Sequence, residues 1–244
     1  VADAIDGSDL EMQGLALILI NTPLGEQRLR RLWSLAEWRA VADGAANHLS
    51  RRCVDLVPNL LIGDFDSVEP QVLEAYKARG VEVRDLSHDQ DSTDLDKALV
   101  ATKAAGFTRV LVAGQFAGHA GRLDHTFGIA NTLFRFEGMQ VAAVSDDSLL
   151  QLLRPGRTHL LKAPLGAESA HCGLVPLGEP CKRITTHGLK WDMSEASMEF
   201  GGLVSVCNRI DETKGGTVSV NASSHVLWMC TLPSSVDDPE LRLE

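Results

Sequence analysis

Five short apolar runs before about residue 150 alternate with stretches of helical spacing, and this alternation restricts the fold more than any other feature. GLALILIN (14–21), LVPNLLIGDFDS (56–67), VEVRDLS (81–87), FTRVLVAGQ (107–115) and MQVAAVS (139–145) read as strands. Between them, LWSLAEWRAVADGAANHL (32–49) reads as a helix leading into a turn. PQVLEAYKARG (70–80), TDLDKALVATKAAG (93–106) and HTFGIANTLFRFEG (125–138) read as helices. Leu95, Ala98 and Leu99 fall on one face of the third helix, with Thr102 next, so that stripe is short. Strands separated by helices imply a parallel sheet covered on both sides.

After about Asp147 the pattern changes. LLQLLRPG, THLLKA, CGLVPLG, MEFGGLVSV and the alternating TVSVNASSHVLWMCTL are separated by Gly, Pro and Ser, with no long amphipathic helix. Such spacing predicts an antiparallel sandwich or barrel. The expected fold is an α/β N-terminal domain with a mainly parallel sheet over 1–150, followed by an all-β sandwich over 151–244.

The charge balance narrows the partners. A net charge of −10 argues against a nucleic-acid backbone, which calls for clustered Lys and Arg. The apolar run Leu15–Ile20 is too short to span a membrane, and no basic segment precedes it as in a signal peptide. Five cysteines without C-x-x-C spacing argue against zinc or disulfide frameworks and fit a reducing, cytoplasmic compartment.

Carboxylates are concentrated in two places. GDFDS puts Asp64 and Asp66 directly after LLI, at the carboxyl end of a predicted parallel strand, where open α/β sheets bind ligands. In an extended segment the two would share a face. DQDSTDLDKAL then sets Asp89, Asp91, Asp94 and Asp96 around a helix start. Like charges about 4 Å apart near a surface cost roughly 4 kcal/mol. A cation between carboxylates and phosphate would relieve this, and Mg²⁺ prefers such a setting. Thr93 and Asp96 have capping-box spacing, and Asp85 reads as a solvated loop charge. An EF-hand frame from Asp89 fails, because its sixth position is Asp94 and not Gly.

A glycine-rich stretch, AGQFAGHAGRLDHT, follows the strand VLV and precedes a helix. It offers close backbone approach to a ligand, a forked donor in Arg122 and a further carboxylate in Asp124. It is neither a P-loop nor a dinucleotide fingerprint.

Taken in order, GDFDS, DQDSTDLDKAL and GRLDH resemble thiamine pyrophosphokinase, and ITTHGLKWDM, FGGLVSVCN and VLWM extend the likeness to the eukaryotic form, from about Leu15 to Leu232. The resemblance implies Mg²⁺-dependent transfer of pyrophosphate from ATP to thiamine, giving AMP, in a homodimer with sites between subunits. It makes Asp64, Asp66 and Asp94 the Mg²⁺ and catalytic carboxylates, with Lys97 one helical turn beyond Asp94. It sets Asp43, Asn47, Gln90, Thr93, Arg122 and Asp124 at the nucleotide. Trp191, Ser205, Asn208 and Trp228 fall on the thiamine side. The chain departs from the pattern at Ala45 and Ala120, which stand in place of Gly, at Cys207 in place of Ser, and in a longer glycine loop.

Two other readings stand beside this one. LLIGDFDSV also fits the start of a haloacid-dehalogenase-like phosphatase, with Asp64 as nucleophile, Asp66 as acid/base and Asp146–Asp147 as a metal pair. The α/β half alone would also suit a non-catalytic nucleotide-binding module.

Overall fold

The computed structural model describes residues 14–116, 121–162 and 170–232, which fall into two compact units meeting in sequence at Asp146 and Asp147. Ala120 and His119 of the glycine-rich stretch lie outside the described residues.

The first unit holds six parallel strands: β1 (Leu15–Leu19), β2 (Trp38–Ala42), β3 (Leu60–Gly63), β4 (Glu82–Asp85), β5 (Arg109–Ala113) and β6 (Gln140–Val144). Their order across the sheet is β6-β5-β1-β2-β3-β4. Every residue of LALIL in β1 is buried, as expected of a central strand covered on both faces. The helices are α1 (Glu26–Leu35), α2 (Ala45–Arg52), α3 (Pro70–Ala78), α4 (Asp94–Ala104) and α5 (Leu123–Arg135). Pro70 opens α3, where its missing N–H costs nothing. From the edge strand β4 the chain returns through α4, which packs across β1, β2 and β3, to form β5 on the far side of β1. The strand order therefore reverses between β1 and β5. Crevices open at such a switch point, outside the carboxyl ends of the strands.

The stretch from Leu32, expected to be a helix leading into a turn, is instead a helix end followed by a strand. α1 ends at Leu35, and Trp38–Ala42 form β2, paired in parallel with β1 and β3. Burial decides it: Ala40, Val41 and Ala42 are enclosed between two strands, which outweighs the helical preference of alanine.

The second unit is an antiparallel β-sandwich, the first of the two arrangements that its turn-rich spacing allows. One sheet runs β12 (Ser205–Arg209), β9 (His171–Pro176), β14 (Val226–Thr231) and β7 (Ser148–Leu153). The other runs β11 (Ala196–Met198), β10 (Cys181–His187), β13 (Thr217–Ala222) and β8 (Thr158–Lys162). Leu153, Leu174, Ile184, Val218, Val220 and Trp228 form its core. All five cysteines are free.

Candidate active site

Three carboxylates converge at the carboxyl end of the parallel sheet. Asp43 follows β2, Asp64 follows β3 and Asp94 is the first residue of α4. One oxygen of each lies within 4.8 Å of the others. Asp43 is buried and adopts φ 40°, so that its N–H donates to the Ile62 carbonyl (2.9 Å) and its own carbonyl accepts from Ala46 (3.0 Å). This left-handed residue turns the chain from β2 into α2 and holds the carboxylate over the strand ends.

Asp94 owes its place to the start of α4. Thr93 caps the helix by accepting from the Asp96 N–H (3.1 Å), and the Asp96 carboxylate accepts from the Thr93 N–H (3.2 Å), so the predicted capping box is present. Burial pushes the Asp94 carboxyl above its ordinary range. Lys97 pulls it back, while the Asp64 and Asp43 charges push it further up. Lys97 is buried, with Nζ 3.5 Å from Asp94 Oδ1.

Asp66 stands outside this group. The expectation that Asp64 and Asp66 share the face of an extended strand is corrected, because β3 ends at Gly63 and Phe65 turns the chain at φ 58°. The Asp66 N–H then donates to Asp64 Oδ1 (3.3 Å), and its carboxylate accepts from Ser67 Oγ (2.7 Å). Asn47 braces the same loop: Nδ2 donates to the Ser67 carbonyl (2.8 Å), and Oδ1 accepts from the Glu69 N–H (2.9 Å).

A cleft of about 490 Å³ opens beside the carboxylates. Asp64, Gln90, Thr93, Asp94, Lys97 and Asp124 of the predicted residues line it. Gln90 Nε2 donates to the Ser87 carbonyl (2.9 Å), and Asp89 accepts from the Asp91 and Ser92 N–H groups, which fixes the loop before α4. Asn21 and Thr22 also line the cleft and were missed by sequence reasoning. The available signal was their position just past LALIL, equivalent to that of Asp64 past LLI. Gly114, just past β5, has no room for a side chain: a Cβ there would lie 2.6 Å from Thr22 Oγ1.

Arg122, the residue before α5, forks onto Asp124 with Nε 3.1 Å from Oδ1, and both side chains are largely exposed. Asp146 is not part of the carboxylate group. Its carboxylate accepts from the Gly25 N–H (2.9 Å to Oδ2) and from Gln115 Nε2, as a brace at the start of α1. The phosphatase reading wanted it as a metal ligand.

In the second unit, Trp191 is 54% exposed and the Lys190 ammonium lies 5.0 Å from its ring centroid. Asn208 is buried and fastens the Trp191 backbone, with Nδ2 donating to its carbonyl (2.8 Å) and Oδ1 accepting from its N–H (3.3 Å). Ser205 Oγ lies 3.4 Å from Asn208 Nδ2. Asp192 secures the other side of the loop by accepting from the Leu189 N–H (3.0 Å) and Lys214 Nζ (2.9 Å). Trp228, expected at a ring-binding surface, is 2% exposed in β14 and belongs to the core. Its alternation with Leu227 and Met229 in a strand paired on both sides turns the indole inward.

Two family models match the chain: "Thiamin pyrophosphokinase, catalytic domain" over residues 29–144 and "Thiamin pyrophosphokinase, vitamin B1 binding domain" over 158–225. Thiamine pyrophosphokinase 1 of Arabidopsis thaliana is 34% identical over 236 residues, covering 89% of this chain and 86% of that protein. Thiamin pyrophosphokinase 1 of Caenorhabditis elegans is 30% identical over 217 residues, covering 86% and 85%. The crystal structure of the yeast enzyme matches with a TM-score of 0.80 at 20% identity, covering 96% of this chain and 90% of that one, which is a likeness of fold.

Proposed function

The chain belongs to the thiamine pyrophosphokinase family, and from that premise we propose that it transfers the terminal pyrophosphoryl group of ATP to the hydroxyethyl oxygen of thiamine, releasing AMP. The observation that carries this reading is the convergence of Asp43, Asp64 and Asp94 beside a cleft of nucleotide size.

The donor set fits a hard divalent cation. Three carboxylates held this close, with burial acting against ionisation of Asp94, call for more positive charge than Lys97 provides. Asp43, Asp64 and Asp94 would hold Mg²⁺, with Asp43 taking the place first expected of Asp66. The ion would supply charge neutralisation on the polyphosphate.

The other roles belong to the side chains. Asp94 orients the thiamine hydroxyl and receives its proton as the oxygen attacks Pβ. The bond from Pβ to the α,β-bridging oxygen breaks, and AMP leaves with that oxygen. Lys97 steadies the charge of Asp94, while Gln90 and Thr93 border the nucleotide. Arg122 leaves Asp124 for phosphate. Asn47 acts through the 64–69 loop that carries Asp64. Trp191 offers its exposed face to the cationic thiazolium ring, a contact worth about 0.5–2 kcal/mol, with Ser205 and Asn208 as polar neighbours.

A homodimer with sites between subunits accords with apolar side chains left exposed in each unit, Leu123 and Phe127 in one and Phe200 and Val206 in the other. Among the described residues no helix is long and apolar enough to cross a membrane, and five free cysteines accord with a reducing cytoplasm.

The test is incubation of the protein with thiamine, ATP and Mg²⁺. Equal amounts of AMP and thiamine diphosphate are expected. ADP with inorganic phosphate, or bound ATP without product, would overturn the reading.

A further inference from the structure

Asp96 sits between Asp94 and Lys97 in sequence, yet its side chain turns away from the carboxylate cluster into the protein and is 4% exposed. A helix cap alone does not require this burial, since capping carboxylates work well in water. The further partners lie on another helix. Thr132 Oγ1 donates to Asp96 Oδ1 (3.0 Å), and Arg135 Nη1 donates to Oδ2 (2.9 Å), the same oxygen that accepts from the Thr93 N–H (3.2 Å). Thr132 and Arg135 belong to α5, the helix that begins beside Arg122 and Asp124.

The consequence is geometric. The first turn of α4 carries Thr93, Asp94 and Lys97 on one wall of the cleft, and α5 presents Asp124, His125 and Thr132 on the other. Asp96 bonds to both walls at once. Its charge is met by Arg135, which is 52% exposed and stands in the last turn of α5, where a cation is favoured.

We propose that Asp96 is a positioning residue for the transfer reaction: through Thr132 and Arg135 it fixes the start of α4 against α5, and so sets Asp94 and Lys97 relative to the bound polyphosphate. This rests on the function proposed above. A small displacement of either wall would degrade the alignment of hydroxyl, Pβ and leaving oxygen while leaving the thiamine-side contacts in place.

The test compares Asp96→Asn, Arg135→Met and the double variant with the wild type, using steady-state kinetics, thermal melting and Mn²⁺ affinity measured without nucleotide. For each single variant kcat is expected to fall roughly tenfold with the KM for thiamine within about twofold, and Mn²⁺ binding to weaken about threefold. The double variant is expected to be no slower than the worse single one, because both remove the same tie. Should Asp96→Asn fail to fold, Arg135→Met and Thr132→Val carry the comparison, Arg135 being half-exposed. Values of kcat and Mn²⁺ affinity within twofold of the wild type would overturn the proposal, and so would a fall in kcat matched by the fraction unfolded. A wild type that forms no thiamine diphosphate would sink the functional reading instead, and Mn²⁺ affinity would still decide the tie between the helices.

Discussion

Gly63 approaches Asp43 so closely that a Cβ on the glycine would lie 3.0 Å from the Asp43 Cβ, and Gly63 itself adopts φ +155°. The carboxyl ends of β2 and β3 are thereby drawn together, and this contact brings Asp43 and Asp64 into one group. A side chain at position 63 would meet both the neighbouring residue and an unfavourable backbone conformation.

Gly63→Ala is accordingly expected to cost about 1–3 kcal/mol of stability and to lower turnover by at least about tenfold through displacement of Asp43. Denaturant melts and initial rates on the same preparation check it. A variant with full activity would show that the spacing of Asp43 and Asp64 is not critical.

Asp94→Asn is expected to reduce kcat by about 10²–10⁴-fold, the range for loss of a positioned acid–base group, with the KM for thiamine changed only a few-fold. An active Asp94→Asn protein would remove this residue from the reaction.

The raised pKa of Asp94 adds a dependence on pH. In the metal-free protein the folded state holds a proton, between the ordinary carboxylate value and the raised one, that the unfolded chain has released. Its contribution to stability is complete below the ordinary value and is lost as pH rises through the raised one. Asp94→Asn lacks that loss, so its melting temperature should gain on the wild type as pH rises across this window. Mg²⁺ should narrow the difference by favouring the ionised wild-type cluster. An Asp94→Asn melting temperature that loses ground to the wild type as pH rises would contradict the assignment.

The two tryptophans of the second unit separate binding from folding. Trp191→Ala is expected to leave stability within about 0.5 kcal/mol and to raise the KM for thiamine by roughly 2- to 30-fold, the worth of a cation over an indole face. Trp228→Ala should cost about 3–5 kcal/mol through the core. Melting curves and thiamine titrations for the pair distinguish the roles, and a stable Trp228→Ala protein with impaired thiamine binding would reverse them.

How far the sequence reveals this arrangement depends on how local each cause is. LLI before GDFDS discloses a buried strand ending in carboxylates, and Thr93 with Asp96 discloses a helix start, since both signals lie within a few residues. The strand at Trp38–Ala42 is hidden because its reason is tertiary, enclosure between β1 and β3. The separation of Asp66 from Asp64 is hidden for a smaller reason, the single positive φ at Phe65. Asp43 came into view only through likeness to a family, because nothing in ADGAAN shows that β2 ends beside β3. The link from Asp96 to Thr132 and Arg135 spans two helices and has no local signature at all.

The most direct measurement follows the phosphorus atoms. With ATP labelled at Pβ, thiamine and Mg²⁺, all label consumed should appear in thiamine diphosphate, with AMP unlabelled and no ADP formed, as attack at Pβ requires. Label retained in ADP, with thiamine carrying a single phosphate or none, would contradict pyrophosphoryl transfer at the Asp43, Asp64 and Asp94 cluster.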